Sequence, residues 1–123
     1  MSPLEVVERF FARWEVSHEE MRAAFDDTLT PDCEWENVGI ATTVGPAQGL
    51  AFMDGLTDRI PFRTIRAEWI SSAVEDDRVY TERVDVLVDG DGNDLKRVPV
   101  LGVTYVQQDK IVRWRDYFDT ANA

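Results

Sequence analysis

Residues 111–118 read Ile111-Val112-Arg113-Trp114-Arg115-Asp116-Tyr117-Phe118. Successive side chains of a strand point to opposite faces, so Val112, Trp114, Asp116 and Phe118 share one face and Arg113, Arg115 and Tyr117 the other. The first set is apolar except for Asp116, which marks a half-buried strand with a carboxylate on its inner side. Three runs upstream share the two-residue period, at about Thr64 to Ala73, Val79 to Val88 and Lys96 to Gln107. They are parted by Glu75-Asp76-Asp77, Asp89-Gly90-Asp91-Gly92-Asn93 and Gln108-Asp109, which are turn sequences. Connections this short predict antiparallel neighbours.

The other half of the chain has helical spacing. Ser2, Pro3 and Glu5 form a capping-box sequence with proline at the first helical position, and Leu4, Val7, Phe10, Phe11 and Trp14 follow as an apolar stripe. This predicts a helix over Pro3 to Trp14. Ser17 and Glu20 repeat the cap before a second stripe of Met21, Ala24, Phe25 and Leu29, closed by Pro31. From Cys33 to Val38 the period returns to two, with Cys33, Trp35 and Asn37 inward and Glu34 and Glu36 outward. Gly45-Pro46-Ala47-Gln48-Gly49 reads as a loop, and Leu50, Met53, Leu56 and Ile60 as a third helix stopped by Pro61. Two helices, a strand, a helix and four strands make an α+β domain, in which a bent sheet packs its concave face against helices and encloses a pocket.

Composition narrows the function. The 123 residues fit one domain, and no apolar run approaches the roughly 20 residues that span a bilayer. The N-terminus has no basic segment followed by an apolar run, so the expectation is a cytoplasmic protein. A net charge of −11 opposes binding to nucleic acid or to an anionic membrane surface. One cysteine, Cys33, rules out an internal disulfide, and with the one histidine, His18, it does not supply the usual zinc ligands. Both are read as structural. The four tryptophans and the Phe10-Phe11 pair are read as core.

The residues left for chemistry are few. Buried Asp116 loses hydration, which favours the protonated form and suits a group that donates a proton near neutral pH. In Thr81-Glu82-Arg83-Val84-Asp85-Val86-Leu87, Arg83 and Asp85 are two apart and leave one face together. A guanidinium can hold two carboxylates, and two carboxylates held close share a proton, which gives one base and one acid. A lone strand aspartate or a chance R-x-D pair would also serve as a turn cap or a surface ion pair; the combination is what points to a site. Asn37, with an amide donor and a carbonyl acceptor, is placed to hold a water against Asp85.

Three blocks carry a resemblance: Tyr80-Thr81-Glu82-Arg83-Val84-Asp85-Val86-Leu87, Leu101-Gly102-Val103, and Lys110-Ile111-Val112-Arg113-Trp114-Arg115-Asp116-Tyr117-Phe118-Asp119. Together they resemble the limonene-1,2-epoxide hydrolase family. The resemblance implies the NTF2-like or SnoaL-like cone, with a curved mixed or antiparallel sheet, about three helices and a deep apolar pocket. It implies a hydrolase without metal or cofactor that converts a small apolar epoxide to a diol, with Asp85 as base on water, Asp116 as acid on the epoxide oxygen and Arg83 as the bridge. The family's Tyr-x-Asn water site is matched by Trp35-Glu36-Asn37, so the asparagine is kept and an indole, which donates but cannot accept, stands for the phenol. Leu87, Val98, Val100 and Phe118 are the implied substrate-binding wall, and a homodimer is the implied assembly. An isomerase or cyclase of the same fold, or a non-catalytic binding module, are the alternatives.

Overall fold

The computed structural model describes residues 1–122. Its elements in order are α1 (Pro3–Trp14), α2 (His18–Thr28), β1 (Leu29–Asn37), β2 (Ala41–Val44), α3 (Gly45–Arg59), β3 (Thr64–Glu75), β4 (Arg78–Val88), β5 (Asp94–Gln107), β6 (Lys110–Tyr117) and a 3-10 turn, Thr120–Asn122. Both expected caps form. The Ser2 hydroxyl accepts from the Glu5 amide while Glu5 accepts from the Ser2 amide, and the Ser17 hydroxyl accepts from the Glu20 amide.

Three local expectations need correction. Leu29 is not the last residue of the second helix but the first of β1, with an extended backbone; Pro31 cannot continue a helix and biases Thr30 before it away from helical geometry, so the helix stops short of them. β2, for which no strand was expected, is a four-residue edge strand reached through a turn at Gly39, whose φ is +85°. The segment 45–49 is not a loop but the first turns of α3. Pro46 supplies a pre-set φ there, and the Gln48 side chain accepts from the Val44 amide in place of a side-chain cap. Gly45 is irreplaceable at this entry, since a Cβ would lie 2.6 Å from the Pro31 carbonyl oxygen.

The six strands form one open sheet in the order β2-β1-β6-β5-β4-β3. Four pairings are antiparallel, and β1 with β6 is parallel. Short connections settle which hairpins form, whereas the β1–β6 pairing joins strands from opposite ends of the chain and needs no particular direction. The helices cover the inner face. Phe10, Phe11 and Trp14 of α1 and Phe25 of α2 meet Trp35 and Trp114 of the sheet in one cluster of ring contacts. Burial of such side chains at about 25 cal/mol per Å² is the main stabilising term. Among the described residues no helix is long and apolar enough to cross a membrane.

Candidate active site

Strands β4 and β6, with β5 between them, bring Arg83, Asp85 and Asp116 to the inner face. Arg83 and Asp85 are two residues apart on β4, and Asp116 is opposite Gly102 of β5, which is opposite Thr81 of β4. The guanidinium is fully buried. Its Nε donates to Asp85 Oδ1 at 2.9 Å, its Nη2 to Asp85 Oδ2 at 3.3 Å and to Asp116 Oδ1 at 3.0 Å, and its Nη1 to the Thr81 hydroxyl at 2.9 Å. The Phe11 ring lies against the guanidinium carbon at 4.4 Å. A cation so far from water persists only when its charge is matched, and here two carboxyl groups and the Thr81 hydroxyl accept four hydrogen bonds from it.

Gly102 makes the bridge possible. A Cβ at that position would stand 2.4 Å from Arg83 Nη1, 2.8 Å from Asp116 Oδ1 and 3.0 Å from Thr81 Oγ1. The guanidinium occupies the space of the missing side chain. Burial raises the pKa of Asp85 above the usual carboxylate range, the charge of Asp116 adds to the effect, and Arg83 opposes it. Burial works against the charge of Arg83, but the two aspartates outweigh it and raise its pKa.

Asn37 stands in register with Asp116 across the β1–β6 pairing, and it borders the same cavity as Asp85. Two residues earlier in that ladder, on the same face, Trp35 is opposite Trp114, and their rings stack at 4.3 Å and 10°. The Nδ2 of Asn37 and the Nε1 of Trp35 are buried and have no protein partner. Trp114, read from the sequence as core alone, also donates from Nε1 to Asp116 Oδ1 at 2.9 Å. The two-residue spacing of Trp114 and Asp116 was the available signal.

Asp85, Asp116, Asn37 and Trp35 border one cavity of about 670 Å³. Leu87, Val98, Val100 and Phe118 border it too, together with Phe52, Met53, Leu56 and Ile60, which are mostly from α3. Phe118 lies one residue past the end of β6 rather than in the strand. Arg59, Lys96, Arg97 and Asp119 add charge to the lining. The cavity is thus a mostly apolar chamber with an arginine-bridged carboxylate pair in its wall. Cys33 is buried, and burial pushes its thiol up to about 12, so it is no nucleophile.

The sequence matches the limonene-1,2-epoxide hydrolase catalytic domain over residues 1–123. The chain belongs to this family. Among solved structures, a limonene-epoxide-hydrolase-like epoxide hydrolase of Mycobacterium tuberculosis is 28% identical, with a TM-score of 0.72 over 95% of this chain and 82% of that one. An NTF2-like protein of Burkholderia pseudomallei is 18% identical, with a TM-score of 0.78 over 98% and 94%. A SnoaL-like protein of Agrobacterium tumefaciens is 13% identical, with a TM-score of 0.70 over 94% and 96%. No curated protein matches the chain significantly in sequence. The last two structures share the fold alone, so this limonene-1,2-epoxide hydrolase family member has the NTF2-like and SnoaL-like α+β architecture.

Proposed function

We propose that the protein hydrolyses a small apolar epoxide to a vicinal diol in one step, without a covalent intermediate. The observation that carries this reading is the Asp85–Arg83–Asp116 bridge in the wall of an apolar cavity. Asp116 is the base and Asp85 the acid, the reverse of the assignment taken from the resemblance. Two facts support the exchange. Asn37, the amide suited to hold a water, is the neighbour of Asp116, and the raised pKa belongs to Asp85.

In the reaction, a water held by Asn37 and the Trp35 indole N–H loses a proton to Asp116 as its oxygen bonds to an epoxide carbon. The C–O bond on that carbon breaks, and the Asp85 proton passes to the leaving oxygen. Asp85 Oδ2, held by Arg83 at 3.3 Å against 2.9 Å for Oδ1, is the oxygen freer to carry that proton. The cycle ends with Asp116 protonated and Asp85 ionised, and solvent exchange after product release resets the pair. Leu87, Val98, Val100 and Phe118 hold the hydrocarbon part of the substrate.

The test is diol formation from cyclic and terpene epoxides, followed by chiral gas chromatography in ¹⁸O water. Native protein is expected to place solvent oxygen in the diol in the first turnover, and Asp85→Asn and Asp116→Asn to form none while folded. No diol from any epoxide would leave the proton-transfer isomerase as the better reading. We also propose a homodimer formed through the uncovered sheet face. Leu101 and Tyr117 are in register there and are 52% and 39% exposed. Leu101→Lys is expected to halve the mass seen by light scattering, and a monomeric native protein would refute the assembly.

A further inference from the structure

The bridge sets one cation between two carboxyl groups, and these two differ in their other partners. Among the described residues Asp85 receives hydrogen bonds from Arg83 alone. Asp116 Oδ1 receives one from Arg83 and a second from Trp114 Nε1 at 2.9 Å. Trp114 is 0% exposed, so the bond is buried, and a donor to a charged acceptor is strong there. The indole is also fixed in direction. Trp35 stacks on it, and Phe10 and Phe11 meet it edge-on.

We propose that Trp114 is a positioning residue that decides which carboxylate is the base: its N–H, braced by the stacked ring of Trp35, keeps Asp116 ionised and directs the shared proton to Asp85. The catalytic consequence rests on the hydrolase reading above, whereas the proton distribution does not. An indole nitrogen donates and never accepts. It therefore favours a carboxylate over a carboxylic acid, and here it does so at one end of the bridge only. Arg83 donates to both ends and cannot select between them. The ionisable groups bonded together around Asp116 are Arg83 and Asp85 of β4. The strands on either side contribute Asn37 from β1 and Gly102 from β5, neither of which titrates. Asp119, Lys96, Arg97 and Arg59 border the same cavity. The pairing of Trp35 with Trp114 also gives the residue at the tyrosine position of the family a second duty, carried by its ring face rather than its N–H.

The experiment compares native protein with Trp114→Phe and with a variant carrying benzothienylalanine at 114, which keeps the ring shape and lacks the N–H. Carbon-13 NMR follows the side-chain carboxyls of Asp85 and Asp116 as pH changes, with no substrate present. In both variants the Asp116 carboxyl titration is expected to move up relative to native protein, since the donor that favours its ionised form is gone. The acid limb of kcat/KM against pH moves up by the same amount, while the rate on the plateau stays within about tenfold. In native protein the Trp114 indole N–H resonance follows the titration of Asp116. Trp35→Leu, which removes the brace and keeps the donor, shifts Asp116 in the same direction by less. An unmoved Asp116 titration in the benzothienylalanine variant overturns the proposal, as does a native protein in which Asp116 is the protonated partner. If no epoxide is turned over, the NMR titration still decides the matter, so the hydrolase reading and this one fail separately.

Discussion

Replacing Gly102 with alanine tests whether the bridge depends on a missing side chain. The added methyl would sit 2.4 Å from Arg83 Nη1, and the guanidinium has to retreat by about 1 Å to reach ordinary contact. A shift of that size stretches the 2.9–3.0 Å bonds to Thr81 and Asp116 beyond hydrogen-bond range. Overpacking costs about 1–3 kcal/mol, and a lost bond to a charged group about 1.5–3 kcal/mol. With partial relaxation, Gly102→Ala is expected to lose about 2–4 kcal/mol in urea unfolding, a fall in Tm of roughly 8–16 °C for a domain of this size. Diol formation should fall by about 10²-fold, the cost of misplacing catalytic groups by 1 Å. Gly55→Ala is the matched control. It adds the same methyl within α3 with nothing within 4 Å, and should stabilise by about 0.5–1 kcal/mol. A Gly102→Ala protein as stable and as active as the native one would refute the close-packed bridge.

Asp85→Asn is expected to change how stability depends on pH. A carboxyl whose folded pKa lies above its unfolded value favours the native state fully below the unfolded value, about 4, and loses that advantage as pH rises through the folded value. The variant should therefore gain on native protein between about pH 4 and neutrality, and denaturant curves at both ends that differ equally would refute it. Arg83→Lys cannot reproduce contacts to two carboxylates and a hydroxyl from one planar fork. Turnover should drop at least about 10²-fold with a lower Tm, and a lysine protein of near-native rate would contradict the bridging role. Cys33 should resist a disulfide reagent at pH 8 until the protein is unfolded, because burial holds the thiol protonated. Labelling at the native rate of a free thiol would show that strand to be open.

The helix caps, the four C-terminal strands and the shared face of Arg83 and Asp85 were legible because each depends on residues within a few positions of one another. What failed depends on distant partners. Gly45-Pro46 has the composition of a loop and of a helix start, and only the packing of Gly45 on the Pro31 carbonyl separates them. β2 buries little beyond Thr43, so it has almost no alternation to read. That Asn37 pairs in register with Asp116 was not legible, because the register of β1 on β6 is not encoded near either strand. The duties of Gly102 and Trp114 follow from where Arg83 and Asp116 end up in space, although the same-face spacing of Trp114 and Asp116 was visible.

The last of the six strands in sequence is an interior strand of the sheet, held between β1 and β5. During synthesis those two strands wait with unpaired edges for a partner that does not yet exist, and such edges recruit other chains. Pairing β1 with β6 closes a loop of more than half the chain, a slow event in folding. A chain that stopped before residue 110 would lack the strand between β1 and β5 and leave both of those edges open. The strand that completes the sheet is also the one that brings Asp116 to the cavity, so the sheet and the Asp85–Arg83–Asp116 bridge are completed by the same pairing.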